Sequence, residues 1–141
     1  MKQAIKNLND LNKLAKKLMA SFKGGEVVGL VGELGAGKTT FVQFLASELG
    51  VQEKVNSPTF VLMKVYQTST SPIKTLVHVD AYRLHNSEEL KNIGLLEYFG
   101  KPNTLVVIEW ADRVKDILPK NSMMINFTEG EAESERFVEI N

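Results

Sequence analysis

The chain has 141 residues, 43% of them hydrophobic, enough for one domain that buries about two thirds of the surface its unfolded form exposes. It has no cysteine, which excludes disulfides and thiolate metal sites and suits a reducing, cytoplasmic setting. Its 17 basic and 17 acidic residues cancel, so it lacks the positive footprint of a protein that grips nucleic acid unaided, and no apolar run has the length of a signal peptide or membrane span.

Charge is nonetheless uneven. Lys2, Lys6, Lys13, Lys16, Lys17 and Lys23 stand against Asp10 in residues 1–23, and the tail from Glu129 to Glu139 is acidic apart from Arg136. Leu8, Leu11, Leu14, Ala15, Leu18, Met19 and Phe22 recur at helical spacing and predict a helix over 8–22, stopped by Gly24 and Gly25. EVVGLV at 26–31 has the continuous apolar character of a strand covered on both faces, and TTFVQFLASEL at 39–49 returns to helical spacing until Gly50. VNSPTF at 55–60 reads as a loop, FVLMKVYQ at 60–67 as extended, TSTSPIK as a turn and KTLVHVD at 74–80 as a strand. Asn86 or Ser87 can cap a helix from Glu88, with a break near Gly94 and a further turn through LLEYFG. TLVVIEW at 104–110 repeats the buried-strand pattern, VKDIL at 114–118 is a short helical stretch ended by Pro119, and MMINFTE and RFVEI form an antiparallel pair around GEAESE. The order predicts one α/β domain, a three-layer sandwich like those of P-loop NTPases, with a mainly parallel central sheet and antiparallel edge strands.

Between the first apolar strand and its helix lies GELGAGKTT, residues 32–40, which satisfies G-x-x-x-x-G-K-[ST]. A chain of phosphates needs several donors converging from one side. A glycine-rich turn lets successive backbone N–H groups point inward, and the positive end of the following helix adds to them. Gly32, Glu33, Leu34, Gly35, Ala36, Gly37, Lys38, Thr39 and Thr40 are therefore the candidate nucleotide-binding residues, with Lys38 supplying charge to the outer phosphates and the Thr39 hydroxyl placed to ligate magnesium.

Phosphoryl chemistry also needs a carboxylate for the metal and a group that orients the attacking oxygen. Asp80 and Glu109 each end a predicted parallel strand, on the sheet edge that carries the glycine loop; either could otherwise be a helix cap or a surface charge. Thr59 is a candidate sensor of the terminal phosphate or an ordinary loop threonine. Trp110 is core or site edge, and His78 and His85 lack metal-ligand spacing and read as structural or solvent-exposed. No N-K-x-D selects guanine, no transporter signature is visible, and three arginines (Arg83, Arg113, Arg136) are too few for the lid of a small-molecule kinase. A site so poor in arginine should hydrolyse slowly until a partner completes it, since an arginine finger contributes about 10³ to 10⁵ in rate.

Taken together, GELGAGKTTF, SPTF, HVDAYRL with EEL downstream, IGLLEYF and VVIEWADRV resemble the bacterial TsaE (YjeE) family over most of residues 25–120. The resemblance implies a cytoplasmic magnesium-dependent ATPase of tRNA threonylcarbamoyladenosine synthesis that acts with TsaB and TsaD proteins on the adenosine beside the anticodon, and that meets tRNA through that assembly. It further implies that Lys38 binds phosphates, Thr39 and Glu109 hold magnesium, Thr59 is a switch threonine, Asp80 is a second functional acid and Trp110 borders the site. Three departures stand out: Gln43 in place of a basic residue, Ala111 in place of proline, and VLMKV in place of a more polar stretch. The rivals are a nucleotide-dependent binding module that does not hydrolyse and a small-molecule kinase.

Overall fold

The apolar run expected over 26–31 becomes the middle strand of the molecule. In the computed structural model, which describes residues 2–33, 35–70, 72–132 and 135–141, the chain runs β1 (Lys2–Ile5), α1 (Leu8–Ser21), β2 (Val27–Val31), α2 (Lys38–Glu48), β3 (Met63–Gln67), β4 (Thr75–Asp80) and α3 (Glu88–Asn92). A 3-10 segment at Leu95–Tyr98 leads to β5 (Thr104–Glu109); a second, at Ala111–Ile117, leads to β6 (Met123–Glu129) and β7 (Arg136–Ile140). All the strands join one sheet in the order β1-β7-β6-β2-β5-β4-β3. β2 pairs in parallel with β5 and β6, and β5 with β4, whereas β3 on β4, β7 on β6 and β1 on β7 are antiparallel. The expected parallel centre and antiparallel edges are both present.

Side chains alternate across a strand, and here the alternation builds two apolar layers. Val28 and Leu30 of β2, Leu76 of β4 and Leu105 and Val107 of β5 pack under α1 and α2 with Leu14, Phe41, Val42 and Leu45. Val27, Val77, Val79, Val106 and Ile108 pack on the opposite face under α3 and the 3-10 segments with Leu90, Leu95 and Val114. Each fully buried Leu or Val contributes about 1.5 to 3 kcal/mol relative to exposure, so both layers favour one strand register, because a slip by one residue would turn every side chain to the wrong face. The same alternation fixes where the chemistry sits. His78 and Asp80 follow Leu76, and Glu109 follows Leu105 and Val107, at steps of two, so these polar groups stand on the α2 face.

Several expectations are corrected. β1 is a short edge strand that periodicity did not signal: only Ile5 of its four residues is buried. α1 ends at Ser21, one residue before the expected stop, and is capped by Asn7, whose side chain accepts from Asp10 N at 2.9 Å. The extended segment is shorter than FVLMKVYQ, because Phe60, Val61 and Leu62 form a turn in which Leu62 N donates to Pro58 O at 2.7 Å. Of the two possible caps before α3, Asn86 accepts from Glu88 N at 3.0 Å, while Ser87 donates its hydroxyl to Asp116. The stretch after Trp110 is 3-10, starts earlier than VKDIL and is interrupted at Val114. Leu34, Glu133 and Ser134 lie outside the described residues.

Candidate functional site

β2 delivers the chain into the glycine loop at Val31, and the bend there requires glycine at two positions. At Gly32 a Cβ would lie 2.7 Å from Phe127 O; Gly37 holds φ at +106°, in the left-handed region, as the residue that starts α2. No side chain caps that end of α2, so its first N–H groups face the loop as donors with the positive end of the helix behind them. Ala36 is buried and its N–H closes the turn on Glu33 O at 3.1 Å.

A cavity of about 310 Å³ opens here, lined by Gly35, Gly37, Lys38, Thr39 and Thr40 from the loop and α2, Ser57 and Thr59 from the loop before β3, Asp80 at the end of β4 with Tyr82 beyond it, and Glu109 at the end of β5 with Trp110 beyond it. The two acids are register partners on adjacent parallel strands, and both are buried. Glu109 Oε1 accepts from Thr39 Oγ1 at 2.8 Å, tying β5 to the first turn of α2. Its Oε2 lies 2.6 Å from Nε2 of the fully buried His78; the hydrogen is assigned to Nε2 because the carboxylate accepts. Asp80 has different partners. Its Oδ2 accepts from Ser57 Oγ and, at 2.9 Å, from Thr59 Oγ1, and its Oδ1 accepts from Tyr82 N at 2.9 Å.

Lys38 bends back on its own loop, donating to Gly32 O and, at 2.9 Å, to Glu33 O, with Nζ 4.2 Å from the centre of the Trp110 ring. Burial holds its amine below the ordinary lysine value, against the opposing pull of Glu109, Asp80, Asp112 and Glu33. Trp110 is therefore a site-edge residue: left-handed at φ +58°, it turns the chain sharply after Glu109 and presents its ring to Lys38, 5.0 Å from the Tyr82 ring. No arginine lines the cavity among the described residues. Arg83 stacks on Phe60 at 4.3 Å, Arg113 lies 5.3 Å from the Trp110 ring, and Arg136 donates to Gly35 O at 3.2 Å.

The sequence candidates Lys38, Thr39, Thr40, Thr59, Asp80, Glu109 and Trp110 thus meet at one cavity, while Gly32 and Glu33 stand behind it as acceptors for Lys38. Sequence reasoning missed Ser57, Tyr82 and the link from His78 to Glu109. Ser57 and Tyr82 each stand two residues from a candidate, in SPTF and HVDAYRL, which was the available signal; His85 is exposed, as one of the two expected alternatives had it. Gln43 donates to Val55 O at 2.7 Å, fastening α2 to the start of the SPTF loop. A second cavity of about 260 Å³ shares Gly35, Gly37 and Thr40 with the first and is walled by Ile5, Leu8, Leu11, Ala36, Phe127 and Val138. Among the described residues no three His, Cys, Asp or Glu could enclose a metal ion. Thr39 Oγ1 and Glu109 Oε1 do offer two hard oxygens at the cavity, the sparse donor set that suits magnesium held chiefly by phosphate and water.

A glycine loop between a parallel strand and a helix, with acids ending the neighbouring strands, gives the chain a P-loop NTPase-like fold, an α/β three-layer sandwich. A family model described as threonylcarbamoyl adenosine biosynthesis protein TsaE matches residues 5–138. The tRNA threonylcarbamoyladenosine biosynthesis protein TsaE of Bacillus subtilis is 40% identical over 84% of this chain and 72% of its own length. That of Treponema pallidum is 45% identical over 72% of each. The crystal structure of YdiB from Bacillus subtilis superposes with a TM-score of 0.77 at 32% identity, over 98% of this chain and 82% of the other. The chain belongs to the TsaE family, which takes part in tRNA threonylcarbamoyladenosine biosynthesis.

Proposed function

We propose that the chain is a cytoplasmic, magnesium-dependent ATPase serving tRNA threonylcarbamoyladenosine formation, and that it works with TsaB and TsaD proteins, through which it meets the tRNA. The observation that carries this reading is the convergence of an uncapped helix end, Lys38, Thr39, Thr59, Asp80 and Glu109 on one cavity. The loop amides of Gly35 and of Gly37 to Thr40 and the Lys38 ammonium bind the phosphates, with Lys38 leaving the carbonyls of Gly32 and Glu33 to do so. Thr39 and Glu109 hold magnesium, which supplies charge neutralisation to the phosphate oxygens. Asp80 holds Thr59 in reserve and orients the attacking water, and Trp110 covers the lysine. The apolar second cavity, continuous with the loop at Gly35, Gly37 and Thr40, receives the base.

No cation other than Lys38 lines the cavity among the described residues, so the isolated chain hydrolyses slowly and the partners raise the rate. The decisive experiment is phosphate release with ATP and magnesium, measured with and without TsaB and TsaD proteins: stimulated release is expected. ATP binding without release, with the partners present, would instead establish a nucleotide-dependent binding module, a reading favoured only by the bonds that keep Ser57 and Thr59 on Asp80. Transfer of the phosphate to a metabolite would establish a kinase.

A further inference from the structure

We infer that His78 is a positioning residue that aims Glu109 at the metal, an inference that rests on the proposed magnesium site. His78 stands in the middle of β4, on the face where its neighbours at steps of two are Leu76 and Asp80, and is completely buried. An apolar side chain there would simply extend the core under α2. The imidazole instead brings two polar nitrogens into it, and Nδ1 has no hydrogen-bond partner among the described residues. Among the described residues its one hydrogen-bonding contact, at 2.6 Å, is Oε2 of Glu109.

That contact decides what the carboxylate can do. A glutamate held by one bond turns about its terminal torsion, whereas Glu109 is held at both oxygens: Oε2 by His78 from the neighbouring strand and Oε1 by Thr39 from α2. His78 and Glu109 are not register partners, since His78 pairs with Val107 and Glu109 with Asp80, so the bond runs diagonally between the two strands. Oε1 is thereby kept beside the Thr39 hydroxyl, where both oxygens can reach one ion. Partners of this kind, one bond removed from a metal, are worth about 10- to 100-fold in metal affinity or activity.

The test is calorimetric titration of ATP into the full chain, with magnesium and with EDTA, for wild type, His78→Gln, His78→Asn and His78→Leu. Gln carries an amide donor near the position of Nε2; Asn carries one only near Nδ1, and Leu has none. We expect Leu and Asn to bind ATP in EDTA as the wild type does and to lose about tenfold or more of the gain that magnesium brings, and Gln to retain most of it. A purely structural role would weaken both titrations together and would not distinguish Gln from Asn, so equal behaviour of those two overturns the inference; that comparison also decides the matter if Leu does not fold. Full retention of the magnesium gain in Asn overturns it too, leaving the ATPase proposal intact. A wild type that binds no ATP removes both.

Discussion

Glu109 and Asp80 look alike in the sequence and lie opposite one another in the sheet, yet they are held by different parts of the molecule. Glu109 is bonded to His78 in the middle of β4 and to Thr39 in the first turn of α2, both within regular secondary structure. Asp80 is bonded to Ser57 and Thr59, on the loop between α2 and β3 where exposed Phe60 and Val61 come next. One carboxylate is tied into a strand and a helix, and the other fastens the loop that runs between that helix and β3. A strand-end acid is therefore distinguished by what is packed over it, and in the proposed ATPase the first would anchor the metal while the second would latch the loop.

The largest change is expected from Lys38→Ala, which removes the cation of the cavity and should abolish measurable magnesium-ATP binding, a loss of about 2 to 5 kcal/mol, by calorimetry. Next comes Glu109→Ala. It leaves the His78 donor buried and unpaired, so denaturant unfolding should show a loss of about 1 to 3 kcal/mol, and partner-stimulated phosphate release should fall to background. Asp80→Ala should also lose stimulated release but keep more of its stability, and its signature should be local. Amide exchange at Leu62 and Met63, behind the released loop, should speed up in this variant and stay unchanged in Glu109→Ala; equal effects in the two variants would erase the distinction between anchor and latch.

The smallest effect lies away from the site. Burial raises the Tyr66 phenol above its ordinary value of 10.0, so the folded chain keeps a proton that the unfolded chain has released. This contribution to stability is complete below pH 10.0 and is lost as pH rises beyond it. Melting curves should therefore fall more steeply above pH 10.0 for the wild type than for Tyr66→Phe.

Much of this was legible because it arises from local rules. The glycine loop, the buried strands and the acids at their ends are signalled by residue type and spacing, and the shared edge of those acids comes from the parallel order. β1 was not legible: four edge residues with one buried apolar side chain carry no period. The turn at Phe60–Leu62 was hidden by apolar residues that resemble a strand, one of which, Leu62, takes φ +68°. His78 could not be tied to Glu109 because the bond crosses 31 positions of sequence and depends on strand register. Gln43, a departure from the resemblance, proved to be a clasp on the SPTF loop, another contact that only the tertiary fold supplies.

Whether the loop of Gly32 to Thr40 holds a metal-bound triphosphate is decided by titration of ATP with magnesium into the purified chain, followed by heat. A saturable association that weakens when magnesium is withdrawn and disappears in Lys38→Ala is the result predicted. No heat of association in the wild type, or the same heat in Lys38→Ala, would contradict it.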